Sequence, residues 1–177
     1  DLMNTQKNLV YSVSATTRNK RDGEIEGVSY FYKTHDEFKQ MIDEDEFLEY
    51  AKVHNNYYGT PKEFVERKIN EGKIVVLEID VQGAVNVKQN TENAVFIFLA
   101  PPSLSELKNR IVGRGTETEQ DINVRMKNAR KELEYIKYYD YLVINDHINS
   151  AINSVNEIIN AEKHKVFREE DFDIKEI

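Results

Sequence analysis

Cysteine and tryptophan are absent from this 177-residue chain, which has only three prolines and seven glycines. Without cysteine there can be no disulfide and no thiolate metal site, which agrees with a reducing cytoplasm. The four histidines, at 35, 54, 147 and 164, show no metal-ligand spacing. No stretch approaches the roughly 18 apolar residues of a membrane-spanning helix, and no signal-peptide apolar segment is visible. Basic residues are the minority, 24 against 32 acidic, for a net charge of −8. A general nucleic-acid binder would carry a basic surface, so neither nucleic acid nor membrane is an expected partner. Repeats, low-complexity tracts and flexible linkers are missing too. At 40% hydrophobic, the chain can bury one sizeable core and a small appended lobe, with no room for a second full domain. Finally, no G-x-x-x-x-G-K-[ST] phosphate loop occurs: the glycines lie at 23, 27, 59, 72, 83, 113 and 115, and none precedes Lys-Ser or Lys-Thr.

What the sequence does have is a spaced set of polar side chains between Val13 and Asp80. Ser14, Arg18, Arg21 and Glu24 lie in one segment, Tyr30 follows, and Glu49, Tyr58, Thr60, Glu78 and Asp80 come later. An arginine presents a planar fork that matches phosphate oxygens bidentately and stays charged at any working pH, so Arg18 and Arg21 together can hold a dianion. Small and polar residues precede Arg18 and Asp22-Gly23 follows Arg21, which places the pair on a loop. The phenols of Tyr30 and Tyr58 can add donors. An ionised carboxylate only accepts, so Glu49 can take both the ring N–H and the amino group of guanine, a paired donor edge that adenine lacks. Hydroxyls at Ser14 and Thr60 could donate to the guanine carbonyl. Read together, these residues suit a nucleoside monophosphate. Read singly, each has an ordinary alternative: a solvated basic loop for the arginines, strand packing for the tyrosines, an exposed strand position for Glu49.

Periodicity places these residues. Leu9 to Val13, Ile74 to Ile79, Ala94 to Leu99 and Tyr141 to Ile144 are short apolar runs, as in parallel strands buried between helices. Between the first two, Tyr30 to Lys33, Phe47 to His54 and Tyr57-Tyr58 read as short strands of a small mixed or antiparallel lobe, interrupted by a helix from His35 to about Asp43. Thr34 with Glu37, Thr60 with Glu63 and Ser103 with Glu106 have capping-box spacing. Pro61 and Gly72 bracket a helix from Pro61 to Glu71. Glu78 and Asp80, at i and i+2 near the end of an apolar strand, would share one side of it. There they either meet a ligand or pair with neighbouring arginines. Gly113 and Gly115 flank Arg114 and give freedom to a loop that could fold over substrate, where arginines can accelerate phosphoryl transfer.

The motifs SVSATTR, R-D-G-E, G-V-S-Y-F-Y, F-L-E-Y, N-Y-Y-G-T-P, L-E-I-D-V-Q-G, F-L-A-P-P-S, G-R-G-T-E and V-I-N-D occur in an order that resembles guanylate kinase. The resemblance runs from about Leu9 to a helix expected to end near Phe167. It implies an α/β, P-loop NTPase-like nucleoside monophosphate kinase: a parallel-sheet core, a small mixed or antiparallel GMP-binding lobe and a lid. One domain over 1–177 would comprise the lobe at 14–70, core at 71–109 and 140–168, lid and following helix at 110–139, and a tail at 169–177. The implied reaction moves the γ-phosphoryl group of ATP to GMP, with Mg2+ bound mainly through the ATP phosphates. By position, Arg18, Arg21, Tyr30 and Tyr58 would hold the GMP phosphate, with Glu24 bracing the arginines. Ser14, Glu49, Thr60 and Asp80 would contact guanine, with Asp80 also a candidate for the metal shell and Glu78 less determined. Arg18, Arg114 and Arg125 would be the catalytic cations. Arg110, Arg114 and Asn145 would serve ATP.

The absent phosphate loop departs from this pattern. Asp1-Leu2-Met3-Asn4 reads like the end of the helix that follows such a loop, so the first strand and the loop are expected upstream of Asp1. The alternative is a catalytically inactive guanylate kinase-like module that grips a phosphorylated or acidic partner.

Overall fold

The computed structural model describes residues 1–53, 55–113 and 118–165. Arg114 and the Gly-Thr-Glu after it, His54, the helix end expected near Phe167 and the expected tail lie outside these residues. The chain divides into two compact units, Met3–Ala94 and Val95–Ile177 with Asp1–Leu2.

In the Met3–Ala94 unit, strand β1 (Leu9–Tyr11) pairs in parallel with β6 (Ile74–Val76), with Leu9 opposite Ile74. A four-stranded mixed sheet has the order β3-β2-β5-β4. Here β2 is Ala15–Thr16, β3 Phe31–Tyr32, β4 Phe47–Val53 and β5 Asn56–Pro61. Strand β5 runs antiparallel to both β2 and β4. Helix α1 (His35–Asp43) starts at the expected capping box: the Thr34 hydroxyl accepts from the Glu37 N–H, and the Glu37 carboxylate accepts from the Thr34 N–H at 2.7 Å. It drives Phe38, fully buried, into a cluster with Ala15 and Phe47. The Phe38 ring stacks at 4.4 Å on Phe47 and 5.4 Å on Tyr57. Burying a phenylalanine contributes about 1.5–3 kcal/mol, so this cluster ties α1 to the sheet.

Helix α1 ends in a tight turn. Asp45 adopts a left-handed φ of 55°, Asp45 N–H donates to Ile42 O and Glu46 N–H to Met41 O. Glycine usually serves a Schellman ending of this kind. The turn leads the chain directly into β4. Helix α2 (Lys62–Asn70) ends in the same way on Gly72, at φ 71°. The expected capping box at its start does not form: Pro61 is the N-cap, without a side-chain bond, because the Thr60 hydroxyl donates across the sheet to Glu49.

Strand β6 stops at Val76, earlier than the apolar run suggests. Residues 77 to 80 leave the ladder so that Asp80 can cap helix α3 (Val81–Asn90), accepting the Gly83 N–H at 2.7 Å. Glu78 and Asp80 therefore sit on a strand-to-helix connection and not on one side of a strand.

In the Val95–Ile177 unit, β7 (Ile97–Ala100) and β8 (Tyr141–Ile144) pair in parallel. Between them in sequence come α4 (Leu104–Gly113) and α5 (Glu119–Leu133). The expected cap of α4 is present, the Ser103 hydroxyl accepting from Glu106 N–H at 3.1 Å. Helix α6 (Ile148–Lys163) packs Ala151 and Val155 against Val143 of β8. Its buried Glu162 carboxylate accepts from the Tyr141 hydroxyl and Lys165 Nζ, both at 2.6 Å. Among the described residues, two parallel pairs stand outside the mixed sheet, β1–β6 and β7–β8, one in each unit, and β2–β3 within that sheet is parallel too. Among the described residues, no helix is long and apolar enough to cross a membrane.

Candidate active site

A β-bulge aims the central side chain. The β4–β5 register shifts between Phe47 and Glu49, so that Glu49 stands directly opposite Thr60. Bulges of this kind re-aim a side chain beside a site. Gly59 lets the strands close at this point, since a Cβ there would come within 2.9 Å of the Phe47 ring. Thr60 is 1% exposed, and its hydroxyl donates to Glu49 Oε1 at 2.7 Å. Burial first, and the negative charge of Asp80, raise the Glu49 pKa above the ordinary carboxylate value, opposed by the Thr60 hydrogen bonds. A half-buried acceptor whose ionised form is penalised gains most from a ligand that brings its own N–H donors.

Glu49 opens onto a cleft of about 330 Å³ lined by Ser14, Tyr30, Tyr58 and Asp80, together with Tyr11 and Glu78. Six residues of the polar set read from the sequence, Ser14, Tyr30, Glu49, Tyr58, Glu78 and Asp80, therefore share one cavity. The Tyr30 and Tyr58 rings meet edge-on at 6.0 Å. Tyr11 donates to Glu78 at 3.2 Å, and burial followed by that carboxylate raises its pKa.

The arginines are organised by Glu24. One Glu24 oxygen takes Arg18 Nη2 at 2.6 Å, and the other accepts from the Arg21 backbone N–H at 2.8 Å and the Tyr32 hydroxyl at 2.6 Å. Gly23, at φ 84°, makes the turn that returns the carboxylate onto Arg21. Arg18, then Tyr32, then the Arg21 N–H hold the Glu24 pKa down at about 2, so it is ionised at any working pH. Burial and Glu24 push the Tyr32 phenol up to about 12. Glu24 also raises the Arg18 pKa. Arg18 lies 5.4 Å over the Tyr30 ring, which connects the cluster to the cleft wall. Glu24 braces Arg18 through its side chain but Arg21 only through its backbone. The Arg21 side chain is exposed and makes no ion pair among the described residues.

Two expected guanine contacts also hold protein partners. The Thr60 hydroxyl donates to Glu49 and so orients the carboxylate. Asp80 Oδ1 is committed to the first turn of α3. Two residues the sequence reading passed over join the site: Tyr32, two residues beyond Tyr30 and 6.0 Å from it ring to ring, and Gly83, beside Glu49 Oε2.

In the other unit, a cleft of about 500 Å³ is lined by Leu99, Pro101, Arg110, Arg125, Asn128 and Asn145, among others. Arg110 Nε donates to Glu106 at 2.9 Å, while Nη1 and Nη2 donate to the carbonyls of Asn145 and Asp146 at 2.7 and 3.0 Å. Three of its five donors are thereby engaged, and the guanidinium ties α4 to the loop after β8.

A sequence model of the family described as guanylate kinase matches residues 1–162. The chain belongs to the guanylate kinase family. It is 52% identical over 174 residues to a guanylate kinase of Caldanaerobacter subterraneus subsp. tengcongensis, covering 98% of this chain and 84% of that one. To a guanylate kinase of Clostridium acetobutylicum it is 55% identical over 160 residues, covering 90% and 77%. A crystal structure of guanylate kinase from Anaplasma phagocytophilum superposes with a TM-score of 0.75 at 34% identity, covering 92% of this chain and 80% of that one. The family's match spans both compact units.

Proposed function

We propose that this guanylate kinase-family chain transfers the γ-phosphoryl group of ATP to GMP, and that the Glu49 cleft is the GMP seat. The observation that carries the seat is the placement of one half-buried, acceptor-only carboxylate in a cleft whose tyrosine wall is covered by a braced arginine. Glu49 takes the paired N–H donors of guanine, and Ser14 completes the base contacts. Arg18, Arg21, Tyr30 and Tyr58 take the phosphate. Arg18 is already held by Glu24, so little side-chain freedom is lost when the phosphate arrives, which favours affinity.

A GMP phosphate oxygen is itself a competent nucleophile. It attacks the γ-phosphorus of ATP in line, the bond to the β-phosphate bridging oxygen breaks, and ADP and GDP result; no covalent enzyme intermediate and no obligatory general base are required. What the chain supplies is orientation and charge. Arg18 offsets charge on the acceptor phosphate. Arg125, in the cleft of the Val95–Ile177 unit with Asn145, is assigned to ATP, as is Arg114. Arg110 is assigned there as a brace of the Asn145 loop. Mg2+ comes with ATP, a hard cation that neutralises its phosphates and keeps much of its own water.

The test is ADP release by the full-length protein with ATP and either GMP or AMP as acceptor. Release with GMP and little with AMP is the expected result. Equal rates with both would overturn the specificity assigned to Glu49, and none with either would favour the binding-module alternative.

A further inference from the structure

We infer that Gly83 is a specificity-positioning residue: the missing side chain at 83 is the space that sets where the Glu49 carboxylate stands. The inference rests on Glu49 as the reader of guanine. Gly83 is the third residue of α3, and its backbone lies outside the left-handed region that would itself demand glycine. Alanine is the better helix former there, so local conformation does not explain the residue. The surroundings do. A Cβ built on Gly83 would stand 2.9 Å from Glu49 Oε2, 3.4 Å from Glu49 Cδ and 3.4 Å from Asp80 Oδ1. No backbone atom is among these three nearest neighbours, and the closest is the far end of a flexible side chain. A methyl group at 83 therefore moves a carboxylate and leaves the fold intact.

The carboxylate cannot retreat without cost to recognition. Its Oε1 is held by Thr60 at 2.7 Å, so displacing Oε2 rotates the group about that anchor. One of the two guanine donors then loses its acceptor. Gly83 touches no nucleotide in this scheme and acts through Glu49 alone. The phosphate seat at Arg18 and Tyr30 is untouched.

The experiment is titration calorimetry of GMP and AMP against full-length wild type, G83A and E49Q, with thermal unfolding of each by circular dichroism. G83A should lose about 10-fold or more in GMP affinity, the size of one charge-assisted hydrogen bond, while AMP affinity and melting temperature hold. A wild-type GMP-to-AMP ratio in G83A, with that ratio collapsed in E49Q, would overturn the role of Gly83 and leave Glu49 as the reader. Wild-type ratios in both variants would remove the Glu49 reading and this inference with it. A G83A protein that melts several degrees lower, or does not fold, would also overturn the inference, because the methyl would then act on packing.

Discussion

Replacing Arg18 with alanine lowers GMP affinity about 100-fold or more while leaving ATP affinity within a factor of two. Two effects add. The bidentate, charge-assisted bonds from the guanidinium to the phosphate are lost, and such bonds are roughly twice as strong as neutral ones. In addition, Glu24 loses the partner that now takes it at 2.6 Å. Its carboxylate, held ionised by the Tyr32 hydroxyl and the Arg21 N–H as well, would face the incoming dianion with its charge less compensated. Both effects act on the same phosphate, so the loss should exceed that of a single neutral hydrogen bond. R18K restores charge without the fork and should recover only part of the loss. Titration calorimetry with GMP and with ATP separates the two nucleotides; equal losses for both would contradict the role given to Arg18.

Replacing Glu49 with glutamine lowers kcat/KM for GMP about 10²–10³-fold and leaves that for AMP unchanged. The amide nitrogen accepts nothing, so it confronts a guanine donor with a donor. Stability should move the opposite way. Burial and Asp80 raise the Glu49 pKa in the folded protein, so its ionised form is less favourable there than in the unfolded chain, and this destabilises the fold as pH rises through and beyond the ordinary carboxylate range. Glutamine keeps the shape and removes that penalty. Steady-state kinetics should therefore show a crippled GMP reaction in a protein whose melting temperature at pH 7 is equal or higher. A variant losing activity toward GMP and AMP alike, with a lowered melting temperature, would point to a packing role for Glu49.

Much of this site was legible in residue types. Arginine pairs, a lone acid and tyrosines carry their chemistry wherever they lie, and the short-range cap of Thr34 on Glu37 formed as its spacing indicated. What escaped was set by partners distant in sequence. Thr60 has capping-box spacing to Glu63 but hydrogen-bonds Glu49, eleven residues away, because the bulge in β4 places the two directly across from one another. Glu78 and Asp80 read as strand residues by apolar continuity, yet the need to cap α3 draws the chain off the ladder at Val76. Tyr32 had a usable signal, its i+2 spacing from Tyr30, although the acceptor Glu24 could not be read from that spacing. Arg110 has the charge to serve ATP, but the structure engages it on Glu106 and two carbonyls. Gly83 is silent in sequence, since the space it leaves matters only once Glu49 is folded beside it.

The most direct measurement is a crystal structure of the full-length protein with GMP. The guanine ring N–H and amino group should lie within about 3 Å of the two Glu49 oxygens, a distance ordinary for N–H···O bonds, with the phosphate on Arg18, Tyr30 and Tyr58. A guanine edge turned away from Glu49, or a phosphate seated beyond reach of Arg18, would contradict the assignment of this cleft to GMP.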